Sequence, residues 1–188
     1  MTRVVSGEEL EKGIRAGVKK LNDAVSDTLG PNGRTVLIKD KYGKRKATKD
    51  GVSVAKAFEE LEDEVENEGA QMVKEVALKS AQQNGDGTTT GTLMAATIIE
   101  EGYKAIQKGS NKTQVKKGID DAVKQVLVSL KANAIDITED SQLKEVATIS
   151  GNNDPEIGEL IATALEKVGR EGVVSIEKSK SGETSLEV

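Results

Sequence analysis

Apolar residues recur at steps of three and four from the start of the chain. Leu10, Ile14, Val18, Leu21, Val25 and Leu29 mark one buried face of a first helix. Ser6-Gly7-Glu8-Glu9 precedes it with the spacing of a capping box, Ser6 as N-cap and Glu9 three residues on. The breakers Gly30-Pro31-Asn32-Gly33 predict its end. The period then changes: Thr35 to Ile38 reads as a strand, Tyr42-Gly43 as a turn, and Arg45 to Thr48 as the returning strand of a hairpin. Lys49-Asp50-Gly51 opens a short helix. A second long helix is predicted over residues 63–84, with Val65, Met72, Val73 and Val76 inward, and a third from Thr88 with Leu93, Ile98 and Ile99. A fourth, from about Asn111, turns Val115, Ile119, Val126, Leu127 and Leu130 to one side.

After Asn133 the helices shorten. Gly151-Asn152-Asn153-Asp154-Pro155 breaks the pattern and restarts it, with Asp154 as N-cap and Pro155 at the first helical position. Ile157, Leu160, Ile161, Leu165 and Val168 form the expected inner face, and Val173 to Ile176 reads as a strand. Glu183 to Val188 still alternates like a strand, so the sequence reads as continuing beyond it.

Composition changes this picture mainly by exclusion. The 188 residues include one Phe, two Tyr and no Trp, so Val, Ile, Leu and Ala must build the core, which suits helix-on-helix packing. Without cysteine there are no disulfides and no thiolate chemistry; without histidine the usual general base is missing. Catalysis would rest on carboxylates, lysines, hydroxyls and an oxygen-bound metal, which points to phosphate chemistry. The net charge of −5 and the scarcity of aromatic platforms argue against a nucleic-acid partner. No apolar span of membrane length and no signal peptide is visible, which gives a cytoplasmic expectation and no membrane partner. Seven acids occupy positions 59–68, expected as a solvated helical face, while Lys39, Lys41, Lys44, Arg45, Lys46 and Lys49 make residues 39–49 basic.

The sharpest chemical signal is Gly85-Asp86-Gly87-Thr88-Thr89-Thr90-Gly91, between two predicted helices. Its glycines allow close backbone approach to an anion, and a helix start offers unpaired N–H groups and a positive dipole end. Asp86 could instead simply cap the helix. Magnesium is usually held by one or two carboxylates together with substrate phosphates, and Asp86 suits that role. Two further segments are glycine-punctuated in the same way: Thr28-Leu29-Gly30-Pro31-Asn32-Gly33-Arg34 and Lys49-Asp50-Gly51-Val52-Ser53-Val54-Ala55. Neither the P-loop lysine pattern nor the dinucleotide fingerprint is present.

In this order the three segments closely resemble the group I chaperonins, the GroEL type. The likeness continues through Glu66 to Val76, Ala147-Thr148-Ile149-Ser150 and Lys167 to Val173, and so covers nearly the whole chain. It implies a mainly α fold: a chaperonin equatorial-domain helical bundle with a small β-hairpin over residues 1–132, followed by a small α/β intermediate-domain segment over residues 133–188. It also implies an ATP-dependent chaperonin subunit that assists protein folding, an ATPase whose residues 1–188 alone would hydrolyse poorly. Thr28, Leu29, Gly30 and Pro31 would hold the nucleotide, Lys49 would lie near its phosphates, and Gly87, Thr88, Thr89 and Thr90 would cradle them. Asp86 would ligate magnesium, Asp50 would help orient the attacking water, and Ile149 and Ser150 would border the nucleotide. The cofactors implied are ATP/ADP and Mg2+, with K+ as a further cation.

The implied partners are further copies in seven-membered rings, a co-chaperonin of the GroES type and non-native client proteins, the last two bound by parts this sequence lacks. The alternative is a naturally short, non-enzymatic module that joins a chaperonin ring or only binds nucleotide. The sequence departs from the family pattern in places. Gly91 stands where alanine is usual, which loosens the first helical turn by up to ~1 kcal/mol. Lys44-Arg45-Lys46 makes the hairpin more basic than usual, and Gly151-Asn152-Asn153 makes the hinge rich in Gly and Asn.

Overall fold

The computed structural model describes residues 4–39, 43–169, 172–177, 179, 182 and 184–187. Tyr42 of the expected turn, Lys41, Arg170, Glu171, Glu183 and Val188 lie outside the described residues. The chain forms two compact units, residues 1–124 and 125–188, and the division falls within one helix.

In the first unit, α1 (Gly7–Ser26) is followed by strands β1 (Val36–Lys39) and β2 (Arg45–Thr48), the short α2 (Gly51–Ala57), α3 (Glu64–Asn84) and α4 (Thr88–Gln107). The hairpin forms as predicted, antiparallel, with Val36 opposite Thr48 and Lys39 opposite Arg45. Val36 and Ile38 pack against the core, while Leu37, on the alternate face, is 68% exposed. α1 buries Val18, Leu21 and Val25 against Ala70, Val73 and Ala77 of α3, Val54 and Ala55 of α2, and Ala96 of α4. The periodic row of α1 thus marks the core, although Leu10 and Leu29 at its ends are exposed.

Two expectations give way here. The capping box does not form: Ser6 makes no cap hydrogen bond, because Gly7 enters the helix at φ +66° and the chain departs from the usual extended-to-helical path. Met72 and Ile98 are exposed rather than inward. The α3 face against α1 is made instead of small residues, Gly69, Ala70, Val73 and Ala77. A methyl group on Gly17 would overlap the Glu66 carbonyl, and one on Gly69 would overlap the Ile14 carbonyl. One on Gly13 would lie 2.6 Å from a Val65 methyl. The helices therefore cross with backbones in contact, and long side chains are forced outward.

The acidic stretch is largely solvated, but Asp63 and Glu66 have defined contacts. Asp63 caps α3 by accepting from the Val65 and Glu66 N–H groups, and Glu66 pairs with Lys20 of α1. Arg15 of α1 grips Glu100 of α4 bidentately at 2.9 and 2.6 Å and lies 5.8 Å from the centre of the Tyr103 ring. The Arg15 hydrogen bond holds the Glu100 carboxyl below the usual carboxylate range, and the charges of Arg15 and Lys104 act in the same direction. A depressed carboxyl stabilises the fold above its unfolded pKa, and that stability is lost as pH falls through the folded value. Glu100→Gln is therefore expected to flatten part of the acid limb of a stability–pH profile followed by urea unfolding. The effect should stay below about 1 kcal/mol, because the pair is partly exposed and screened by salt. An unchanged acid limb would remove the pair from the stability account.

α5 (Lys112–Asn133) carries the division between the units. Val115 and Ile119 lie near Gly102 of α4, but no residue of α5 is buried, and Val126, Leu127 and Leu130 are exposed, contrary to the expected inner row.

In the second unit, α6 (Asp140–Ser150) packs on α7 (Pro155–Val168). Asp154 caps α7 as predicted, accepting from the Glu156 and Ile157 N–H groups, with Pro155 in the first turn. Asn152 and Asn153 both adopt left-handed backbone, φ 63° and 62°, which asparagine tolerates better than most residues. This accounts for the asparagine-rich turn. Buried positions in α7 are again small, Gly158 and Ala164, whereas Ile157, Leu160 and Val168 are partly exposed. Val173 to Ile176 forms no strand, because no described segment of this unit offers a ladder partner and a lone strand leaves its backbone groups unpaired. The expected α/β character of this unit is absent among its described residues.

Candidate anion-binding site

The three glycine-punctuated segments meet at one point of the first unit. α1 ends in a turn, where Thr28 is buried and its hydroxyl donates to the Val25 carbonyl at 2.8 Å. Beyond it Gly33 N–H donates to Gly30 O at 2.9 Å and Arg34 N–H to Asp27 O at 2.6 Å, closing the loop. Gly30 takes φ +70°, and a methyl on Gly33 would overlap the Thr28 carbonyl. Thr28 Oγ1 lies 3.2 Å from Thr89 Oγ1 in the first turn of α4. A hydroxyl has one proton to give, and Thr28 gives its own to Val25, so Thr89 donates within this pair. Gly51, the first residue of α2, fits between them. A methyl there would overlap Thr89 Oγ1 and come within 3.3 Å of Thr28 Oγ1.

The start of α4 is open. Its N-cap is Gly87, left-handed at φ 77°, and no side chain caps the helix. The first-turn N–H groups of Thr88, Thr89 and Thr90 thus form an anion-accepting end with a positive dipole. Thr88 is buried and Thr90 exposed, while Thr92 closes the turn by donating to Thr88 O at 2.8 Å. Asp86 stands just outside, exposed, with Oδ1 2.6 Å from the Gly87 N–H. The simpler reading, in which Asp86 caps the helix, fails: the cap position belongs to Gly87.

α2 starts differently. Asp50 caps it, accepting from the Val52 and Ser53 N–H groups at 3.2 and 3.1 Å and from the Ser53 hydroxyl. A carboxylate has about four acceptor positions, so roughly one remains for a further partner. Lys49, Leu29, Gly30 and Pro31 are exposed at the same segments. Ile149 and Ser150 end α6 in the second unit.

Among the described residues, no group of three or more carboxylates could cage a metal by itself. A lone Asp86 beside open N–H donors fits a hard cation that arrives with its own phosphate oxygens. A cleft of about 510 Å³ lined by Leu10, Leu61, Val65 and Glu64 includes none of the predicted site residues. Sequence reasoning picked out the three segments but not Gly51 as their meeting point. The signal available was a glycine directly after a helix-capping aspartate.

A mainly helical unit with a small two-stranded hairpin matches the fold of a chaperonin equatorial domain. The sequence description "TCP-1/cpn60 chaperonin family" matches residues 21–187, and the chain belongs to that family. Among solved structures it is similar to a group III chaperonin in the open state, at 28% identity and a TM-score of 0.71, covering 85% of this chain and 32% of that one. It is also similar to the chaperonin gp146 of bacteriophage EL 2 (Pseudomonas aeruginosa), crystallised in the presence of ATP-BeFx. There the identity is 30% and the TM-score 0.72 over 89% of this chain and 29% of gp146 in one crystal form. In a second form they are 32% and 0.69 over 86% and 28%. The chain spans about a third of the length of these structures. No helix among the described residues is long and apolar enough to cross a membrane.

Proposed function

We propose that this chain is the N-terminal portion of a group I, GroEL-type chaperonin subunit and carries the Mg-ATP phosphate site of an ATP-driven protein-folding ring in the cytoplasm. Residues 1–132 are its first equatorial half and residues 133–188 the ascending intermediate segment. The observation that carries this reading is the junction of Thr28, Gly51 and Thr89 beside the uncapped start of α4. It draws the three separate motifs into one cradle, and gp146, similar in fold, was crystallised with an ATP analogue.

In this reading the backbone of Gly87 to Thr90 receives the phosphates, and the exposed Thr90 hydroxyl adds a donor. Thr28, Leu29, Gly30 and Pro31 line the nucleotide, and Lys49 contributes positive charge near the phosphates. Asp86 would hold Mg2+, which supplies charge neutralisation on the phosphate oxygens when bound, with K+ as a further cation. Asp50, held rigid by its cap, directs its remaining acceptor position to the attacking water. The complete subunit assembles into seven-membered rings and works with a GroES-type co-chaperonin on non-native proteins.

Gly51→Ala tests the junction. The added methyl cannot be placed without pushing Thr89 from Thr28. We expect a stability loss of about 1–3 kcal/mol and nucleotide binding, read by calorimetric titration of Mg-ADP, weakened by roughly tenfold or more. Wild-type affinity in a folded Gly51→Ala protein would sink the site.

A further inference from the structure

The sequence contains two Asn–Gly pairs, Asn32-Gly33 and Asn84-Gly85, and both lie in segments that build the cradle. Asparagine is the thermolabile side chain of such pairs. The following backbone nitrogen attacks the side-chain carbonyl carbon, a ring C–N bond forms, and the amide C–N bond breaks with release of ammonia. Water then opens the succinimide to aspartate or isoaspartate. The attacking nitrogen must first leave its hydrogen bond and reach the side chain, so local structure sets the rate.

The two pairs differ in that respect. Gly33 N–H is bonded to Gly30 O at 2.9 Å, Arg34 N–H is bonded to Asp27 O at 2.6 Å, and Gly33 is wedged against the Thr28 carbonyl. Freeing it means opening the whole loop. Gly85 N–H is held by one bond of 3.1 Å to Ala81 O, at the last turn of α3, where helices fray. Gly85 has φ +73°, no heavy atom crowds it, and Asn84 is exposed. Asp50-Gly51 and Asp86-Gly87 share the spacing, but an ionised carboxylate is a much poorer electrophile than an amide.

We infer that Asn84-Gly85 is a site of spontaneous deamidation, and that its conversion weakens anion binding at the start of α4. The product is a carboxylate two residues before Asp86, at the negative end of the α3 dipole, where it opposes an incoming phosphate. The second half of this inference rests on the proposed nucleotide site; the first does not.

The test has two arms. Peptide mapping of the folded protein through incubation in mildly alkaline buffer should show aspartate and isoaspartate at position 84 accumulating several-fold faster than at position 32. Equal or faster conversion at Asn32 overturns the ranking, as does an intact Asn84 under conditions that convert an unfolded peptide of the same sequence. In the second arm, Asn84→Asp should bind Mg-ADP several-fold more weakly than wild type, and Asn84→Gln should bind normally and resist conversion. Wild-type affinity in Asn84→Asp overturns the consequence alone. A wild-type protein that binds no Mg-ADP overturns the consequence together with the nucleotide reading, and leaves the ranking to the mapping.

Discussion

Asp86→Ala is expected to cut magnesium-dependent nucleotide affinity on the order of 100-fold, from the loss of about 3 kcal/mol of charged interaction. The expectation follows from how little else at the cradle can hold a cation. Among the described residues no cluster of three or more carboxylates could hold a metal, and three of the roughly four acceptor positions of Asp50 are spent on capping α2. The substitution removes the bond from the Gly87 N–H to Asp86 but no bond to the Thr88 to Thr90 N–H groups, since Gly87 and not Asp86 is the N-cap. Magnesium-free binding through the Thr88 to Thr90 N–H groups should therefore survive better than magnesium-dependent binding. Titrating ADP with and without magnesium separates the two. Equal losses in both would mean that Asp86 shapes the loop rather than holding the metal, and no loss in either would remove it from the site.

Where elements lie was legible in the sequence because period and punctuation are local properties. The α1 row, the hairpin, the Asp154-Pro155 restart and the helix beginning at Thr88 all follow from patterns within a few residues. Which side chains are buried was less legible. Met72 is apolar at helical spacing yet exposed, because the surface α3 offers to α1 is set largely by small residues, and Ile98 of α4 is exposed as well. Hydrophobic counting rewards large residues, whereas close helix crossing selects small ones. The site divides in the same way. Its segments were visible through glycine, carboxylate and hydroxyl chemistry, but the contact between Thr28 and Thr89 spans 61 positions and depends on how α1, α2 and α4 pack. Val173 to Ile176 shows the converse limit. Its composition suits a strand, but a strand exists only where another segment completes its hydrogen bonds.

The small-residue crossing gives the largest structural prediction. Gly17→Ala places a methyl against the Glu66 carbonyl and close to the Ala70 nitrogen, both backbone atoms, so no rotamer change can relieve the overlap. α1 must shift away from α3, and with it Val18, Leu21 and Val25, which form the centre of the core. We expect a loss of about 3 kcal/mol or more, at the upper end of overpacking costs. The displacement also reaches the cradle, because Thr28 is tied to Val25 at the end of the same helix. Gly118→Ala is the matched control: it lies within α5 with nothing near its added methyl, so it should gain up to about 1 kcal/mol from helix propensity. Urea unfolding of the two variants should therefore move in opposite directions. If Gly17→Ala unfolds like wild type, the α1–α3 contact is looser than the geometry requires, and the core cannot be what positions Thr28 for Thr89.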